Sequence, residues 1–305
     1  MAIYYFGVKS FGRAAGTSGM RSTSGAAYRA GERIRDERTG IVYDHTDRVD
    51  VMYKEVLLPE PLQAEGASMD WARDRAVLWN AAEHAESRSN ARVAREYAVA
   101  LPHELTHEGR VQLARGFAQE IATRYESAVD LAIHAPRGDP RNFHAHLLST
   151  TREISVAGFG AKTAAELGDS QRASRGLVSG RAELIALRER WADLTNQALR
   201  DAGVAARVSH LSLKAQGITR EPRLQLPRAA YQMERRGTLS IAGERARALA
   251  RDRLREDPST KVERIRAAAR ERWLESRRAP AETRESDSPE QKPSIRKEPE
   301  NDLGK

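Results

Sequence analysis

The sequence predicts an α+β fold: a mainly antiparallel central sheet with flanking helices, followed by a helical extension and a disordered tail. Three observations carry that expectation. Two β-prone runs, Val129–His134 and Phe143–Ser149, flank a turn rich in Pro, Gly and Asp, which is the pattern of an antiparallel strand pair. Upstream of them, strand-like and amphipathic helical segments alternate as strand, helix, strand, helix, strand, helix. Downstream, large apolar residues thin out in favour of arginine and glutamate, and from Ala279 to Lys305 Pro, Ser, Glu and Lys dominate. Such a tail cannot bury enough apolar surface to offset the entropy of ordering it. The organisation read from this is residues 1–237 as the main domain, its part from about 175 helical, then 238–278 as a charged helical extension and 279–305 as the tail.

Taken in order, Ala2–Lys9 reads as the first strand, and Ser10–Ser24 as a connection rich in Gly, Ser and Arg. Gly25–Arg35 is expected as a short helix, since its alanines favour helix and Ser22 or Ser24 can cap it; Tyr28 then lies early on that helix, beside arginines. Val49–Leu58 is a strand ended by Pro59 and Pro61. Asp70 is the expected N-cap of a helix with Trp71, Leu78, Ala82 and Ala85 on one face. The strand Arg95–Leu101 stops at Pro102. Glu96 belongs to its alternate set from Tyr97 and Val99, so it faces the opposite side from those core residues.

Thr106 caps a helix whose stripe is Val111, Ala114, Ala118, Ile121 and Tyr125, widened by Phe117. Ile154–Gly180 reads as a loop with short helical pieces, a lid or DNA-contacting insertion. Arg181–Ala202 is a helix with the stripe Leu184, Leu187, Trp191, Leu194 and Ala198, stopped by Gly203. An irregular connector over Ser209–Leu226 precedes a helix at Arg228–Arg235, and Ala242–Arg277 reads as an exposed helix held partly by ion pairs.

The candidate chemistry sits in the hairpin. Side chains alternate across a strand, so His144 and His146 leave one face while Phe143, Ala145 and Leu147 leave the other. A turn centred near Asp139 sets His134 opposite His144, where facing residues have Cβ atoms about 5 Å apart. Three imidazoles then converge, and neutral ring nitrogens at about 2.0–2.1 Å are what zinc, for one, requires. His45, His84, His103, His107 and His210 lack convergent partners and read as surface or packing residues.

The chain has no cysteine, which excludes disulfides and thiolate sites, leaves His, Asp and Glu as ligands, and fits a reducing cytoplasm. The apolar start is too short for a secretory core or a membrane span. With 51 basic against 43 acidic residues, a formal +8, the balance favours a polyanionic partner, because each neutralised phosphate releases counterions.

The tyrosine helix Ala26-Ala27-Tyr28-Arg29-Ala30-Gly31-Glu32, the strand Arg95-Glu96-Tyr97 leading to Ala100-Leu101-Pro102, and Ile133-His134 with His144-Ala145-His146-Leu147 together resemble the MobA/MobL family of plasmid mobilisation relaxases. Ala215-Gln216-Gly217-Ile218, Arg220-Glu221-Pro222 and Met233-Glu234-Arg235-Arg236-Gly237 are similar to its TraA branch. The resemblance implies an HUH-type endonuclease that nicks one strand at a plasmid transfer origin by tyrosine transesterification, leaving a 5′-phosphotyrosyl intermediate. It implies Tyr28 as nucleophile, and His134, His144 and His146 as ligands of a divalent metal ion, Mn, Mg or Zn; histidine ligation favours Mn, Zn, Ni or Co over Mg by ligand softness. Glu96 would orient a ligand histidine or accept the phenol proton, and Arg21, Arg29, Arg33 and Arg141 would track the DNA backbone.

The implied partners are single-stranded origin DNA, relaxosome accessory proteins and a type IV secretion coupling protein, with no membrane insertion and a bacterial, plasmid-associated cytoplasmic setting. Two other readings share the same residues: a rolling-circle replication initiator or transposase, whose motifs place the nucleophile after the histidines, and a non-catalytic origin-binding accessory protein. A metal-stabilised scaffold is a third. The chain departs from the family pattern at Ala98, where a second carboxylate is expected, at Ser209 and Leu211 beside His210, where relatives tend to carry Asp and Arg, and at Arg141-Asn142-Phe143 ahead of His144.

Overall fold

A computed structural model describes residues 2–13, 21–64, 68–137, 139–219, 226–255, 266 and 269–270. The chain divides into two compact units, Met1–Thr219 and Arg220–Lys305. In the first, β1 (Phe6–Gly12), β4 (Val51–Leu57), β5 (Arg92–Ala100), β6 (Val129–His134) and β7 (His144–Thr150) form a five-stranded sheet in the order β1-β5-β7-β6-β4. Every neighbouring pair is antiparallel, and the histidine-bearing β7 is the central strand.

Alternation gives the sheet two buried faces. One carries Tyr97, Val99, Leu131, Ile133, Ala145 and Leu147, covered by α5 (His107–Tyr125) and α7 (Gly180–Asp201), with Phe117 and Trp191 in ring contact at 5.0 Å. The helix starts are set by their caps: Thr106 accepts from the Gly109 N–H and Ser179 from the Ala182 N–H. The opposite face carries Phe11, Ala94 and Leu148 under α1 (Ser22–Ala30) and α4 (Arg75–His84), whose Ala26, Ala27, Leu78 and Trp79 are fully buried. Glu96, His134, His144 and His146 lie on this second face, at the end of the sheet that α1 only partly covers.

Several elements differ from their expected form. β1 begins at Phe6 rather than Ala2. The tyrosine helix starts at Ser22 and ends at Ala30, so Tyr28 stands in its last turn, and Arg33 belongs to a small hairpin of β2 (Arg33–Arg35) and β3 (Val42–Asp44). Neither Ser22 nor Ser24 caps it: its N-cap is Arg21, and the Ser22 hydroxyl instead donates to Glu83 Oε1 at 2.6 Å. The helix expected from Asp70 is two pieces, α3 (Asp70–Arg73) and α4, broken at Asp74, whose side chain accepts from the Val77 N–H. The expected loop after Ile154 opens with a hairpin of β8 (Arg152–Ser155) and β9 (Gly158–Lys162), and continues through α6 (Asp169–Ser174). A five-residue helix, α2 (Glu60–Ala64), follows β4.

The second unit contains α8 (Arg228–Arg235) and α9 (Ile241–Arg255) among its described residues. Arg220-Glu221-Pro222, most of Ala242–Arg277 beyond Arg255 and the whole 279–305 segment lie outside the described residues. Among the described residues no helix is long and apolar enough to cross a membrane.

Candidate active site

The register expected for the hairpin is the register found: His134 pairs with His144, and His146 lies opposite both Ala132 and Ala98. The three imidazole centroids are 4.8–5.3 Å apart. One ring nitrogen from each histidine lies within 4.8 Å of those of the other two.

Each ring is oriented by a partner. The Arg29 carbonyl can only accept, so His134 Nε2–H donates to it at 2.7 Å and the lone pair sits on Nδ1. By the same reasoning His144 Nδ1–H donates to the Asn142 carbonyl at 2.9 Å, leaving Nε2. His146 Nδ1–H donates to Glu96 Oε1 at 2.5 Å, again leaving Nε2. Burial pushes His134 down to about 3 and also lowers His146, so both rings are neutral near pH 7. Three imidazoles, each with one nitrogen tied off and the other left to ligate, are a donor set that fits a divalent cation.

Glu96 is fully buried, and its Oε1 also accepts from Arg29 Nε at 2.6 Å. Burial alone would raise this carboxyl, but the hydrogen bond from His146 and the Arg29 guanidinium outweigh it and hold Glu96 well below the usual carboxylate range.

Tyr28, 39% exposed, projects from the last turn of α1, its ring edge-on to His45 at 5.3 Å. Arg48 lies over the same ring, its guanidinium carbon 4.0 Å from the centroid, and donates through Nη1 to the Tyr28 carbonyl at 2.7 Å. Its Nη2 reaches to 3.4 Å from His134 Nδ1. Arg48 is fixed in turn by a two-pronged bond to Asp50, 2.9 Å from Nε and 2.5 Å from Nη2, and Arg137 closes on Asp50 Oδ1 at 2.7 Å. Tyr28 and the triad are thus joined through one side chain, and also through the Arg29 backbone.

The arginines expected on DNA are placed unequally. Arg29 is buried, bonded to Glu96 and to the Gly25 carbonyl, with its guanidinium carbon 4.9 Å from the centre of the Phe11 ring, so its charge is engaged within the protein. Arg33 on β2 is two-thirds exposed beside Asp44, Arg141 is paired with Asp139 in the β6–β7 turn at 2.7 Å, and Arg21 precedes α1. His45, expected as a surface or packing residue, packs on Tyr28. Sequence reasoning missed Arg48, Asp50 and Arg137; the one signal was the density of polar residues over Asp44–Asp50, which reads equally as a loop.

The MobA/MobL family model matches residues 21–236. Mobilization protein MobL of Acidithiobacillus ferridurans is 38% identical over 77% of this chain, and a probable mobilization protein MobA of Bifidobacterium longum is 35% identical over 79%. The chain spans 65% of the first relative's length and 46% of the second's. A structure solved for the molecular basis of vancomycin resistance transfer in Staphylococcus aureus is 30% identical, with a TM-score of 0.56 over 69% of this chain and all of its own. A match that runs through the tyrosine helix, the glutamate strand and all three histidines shows that the chain belongs to the MobA/MobL family.

Proposed function

We propose that this chain is a relaxase that nicks one strand of a plasmid transfer origin, with Tyr28 as nucleophile and His134, His144 and His146 holding a divalent metal ion. The observation that carries this reading is the exposed Tyr28 ring standing one side chain, Arg48, away from three converging imidazoles. In the step, Tyr28 Oη attacks the phosphorus of one phosphodiester and the bond to the 3′-oxygen breaks. A 5′-phosphotyrosyl bond forms, the phenol gives up its proton and the leaving oxygen takes one up as a 3′-hydroxyl. Because one ester replaces another, the bond energy is kept and the cut can be resealed without ATP.

A bound metal ion supplies Lewis-acid stabilisation of the charge that builds on the phosphate oxygens. Glu96 positions His146 by fixing its tautomer, and the alternative role as proton acceptor is disfavoured, since its buried carboxyl is held well below the usual carboxylate range and is a weak base. The +8 balance, with exposed arginines such as Arg33 and Arg141, suits single-stranded origin DNA as the partner, and the family suits accessory and coupling proteins beyond it.

Incubating the protein with end-labelled single-stranded origin oligonucleotide and Mn²⁺ tests the reading. The expected result is an SDS-resistant adduct that chelator and Tyr28→Phe both abolish. Salt-sensitive binding with no adduct would instead establish an origin-binding accessory protein.

A further inference from the structure

We infer that Arg48, held by Asp50, is the positioning residue for Tyr28, and that it does this from the mouth of the triad without serving as a support of the metal ligands. The inference rests on the relaxase reading and adds to it a residue that acts through the nucleophile.

Three contacts converge on one guanidinium. It stacks on the Tyr28 ring at 4.0 Å, bonds the Tyr28 carbonyl at 2.7 Å, and is clamped to Asp50 through both Nε and Nη2. A flat, delocalised cation can satisfy a carboxylate with one edge and an aromatic face with its plane, which an ammonium cannot. Tyr28 needs such a clamp. It stands in the last turn before Gly31, the residue is 39% exposed, and its ring also meets the edge of His45. Free rotation of the phenol would place its oxygen off the line of attack, and a misplacement of about 1 Å costs on the order of a hundredfold in rate.

Asp50 makes the clamp rigid. Its carboxylate is buried, its backbone carbonyl accepts from the Ala135 N–H at 2.8 Å, and Arg137 takes up the remaining approach to Oδ1. The anchor is therefore tied to the chain just past His134, so the stack on Tyr28 and the triad share one frame. The fourth contact sets the direction of the coupling. Arg48 Nη2 lies 3.4 Å from His134 Nδ1, the nitrogen that keeps the lone pair. A donor at that nitrogen competes with a cation for it, so Arg48 cannot be what makes the histidines bind metal.

The test uses the full chain with Arg48→Gln, Arg48→Lys and Asp50→Asn. Single-turnover adduct formation on origin oligonucleotide is measured at saturating DNA, with Mn²⁺ affinity by calorimetry and oligonucleotide Kd by anisotropy. The expected result is a rate lowered about a hundredfold in Arg48→Gln, little recovered in Arg48→Lys and lowered to a lesser degree in Asp50→Asn. Mn²⁺ binding stays equal to or tighter than wild type, and Kd moves less than about threefold, which also reports that the variants are folded. If wild type gives a Tyr28-dependent adduct and Arg48→Gln matches its rate, or if Mn²⁺ affinity falls along with the rate, the positioning role is overturned alone. Absence of any Tyr28-dependent adduct in wild type overturns the relaxase reading and this inference with it.

Discussion

Glu96 illustrates how much one buried carboxylate organises. It accepts from His146 and from Arg29, and Arg29 in turn presents the carbonyl that orients His134. Glu96→Gln keeps the shape and removes the charge, leaving the Arg29 guanidinium, 9% exposed, without its counterion. Breaking a buried pair in this way costs about 3–5 kcal/mol, to be read from urea unfolding. Loss of the carboxylate partner of His146, a proposed metal ligand, should also weaken Mn²⁺ binding about 10–100-fold by calorimetry; unchanged unfolding and unchanged affinity together would mean that Glu96 supports neither the fold nor the proposed ligand. Asp50 supplies a pH test. Its carboxyl is held well below the ordinary range chiefly by the hydrogen bonds from Arg48, with Arg137 adding to them against the effect of burial. A depressed folded-state pKa contributes stability that is full above the unfolded value, about 3.9, and is lost as pH falls below it. Melting temperature followed from pH 6 to 2.5 should therefore drop less steeply in Asp50→Asn than in wild type. The histidine set was legible because strand alternation and a short turn leave almost no freedom in register. Arg48 and Asp50 were not, because although they pair with each other two residues apart, what gives that pair a role lies far off in the chain, at Tyr28 and Arg137, and no local period links them.

Among the elements, the long ones announced themselves by stripe and cap: α5 and α7 lie within a residue or so of their expected bounds. The β2–β3 and β8–β9 hairpins did not, since strands of three to five residues rich in Arg, Asp and Gly show too few alternations to stand out from loop. The serine caps failed for a tertiary reason: Ser22 and Thr23 donate instead to the buried carboxylates Glu83 and Asp36, fastening α1 to α4 and to the turn after β2. What converts α1 into a presenter of Tyr28 is the turn after it. Gly31, at φ +60, closes the helix and sends the chain into the hairpin that leads to His45 and Arg48; a Cβ there would sit 3.2 Å from Val51 Cγ2. Gly40, at φ +72 in the turn between β2 and β3, has nothing within 4 Å of such a Cβ. Both Gly→Ala changes carry the left-handed backbone cost of about 1–2 kcal/mol. Only Gly31→Ala adds crowding beside the site, so adduct yield should fall further in Gly31→Ala than in Gly40→Ala, with denaturation curves separating the shared cost from the local one. Equal yields would detach the turn from the position of Tyr28.

At the scale of the whole molecule, the charge is not spread evenly. Residues 1–219 carry 29 basic and 27 acidic side chains, whereas 220–305 carry 22 and 16, so +6 of the net +8 falls on the second compact unit. All the residues proposed for the reaction, from Tyr28 to His146, belong to the first. The residues proposed for the chemistry and most of the net basic charge therefore lie in different stretches of one chain. The logarithm of the association constant for single-stranded DNA falls with the logarithm of salt concentration by about 0.7 for each phosphate neutralised, which makes the division measurable. A chain ending at Thr219 should form the Tyr28 adduct at saturating oligonucleotide and low salt with a rate near that of the full chain. Its affinity should be lower and its salt slope shallower, by one unit or more if two or more of the six excess charges meet phosphates. The melting curve of the shortened chain checks that the first unit folds by itself. Equal slopes in the two chains would locate the phosphate contacts in the first unit, on side chains such as Arg33 and Arg141, and would leave the basic excess of 220–305 to a partner other than the nicked strand.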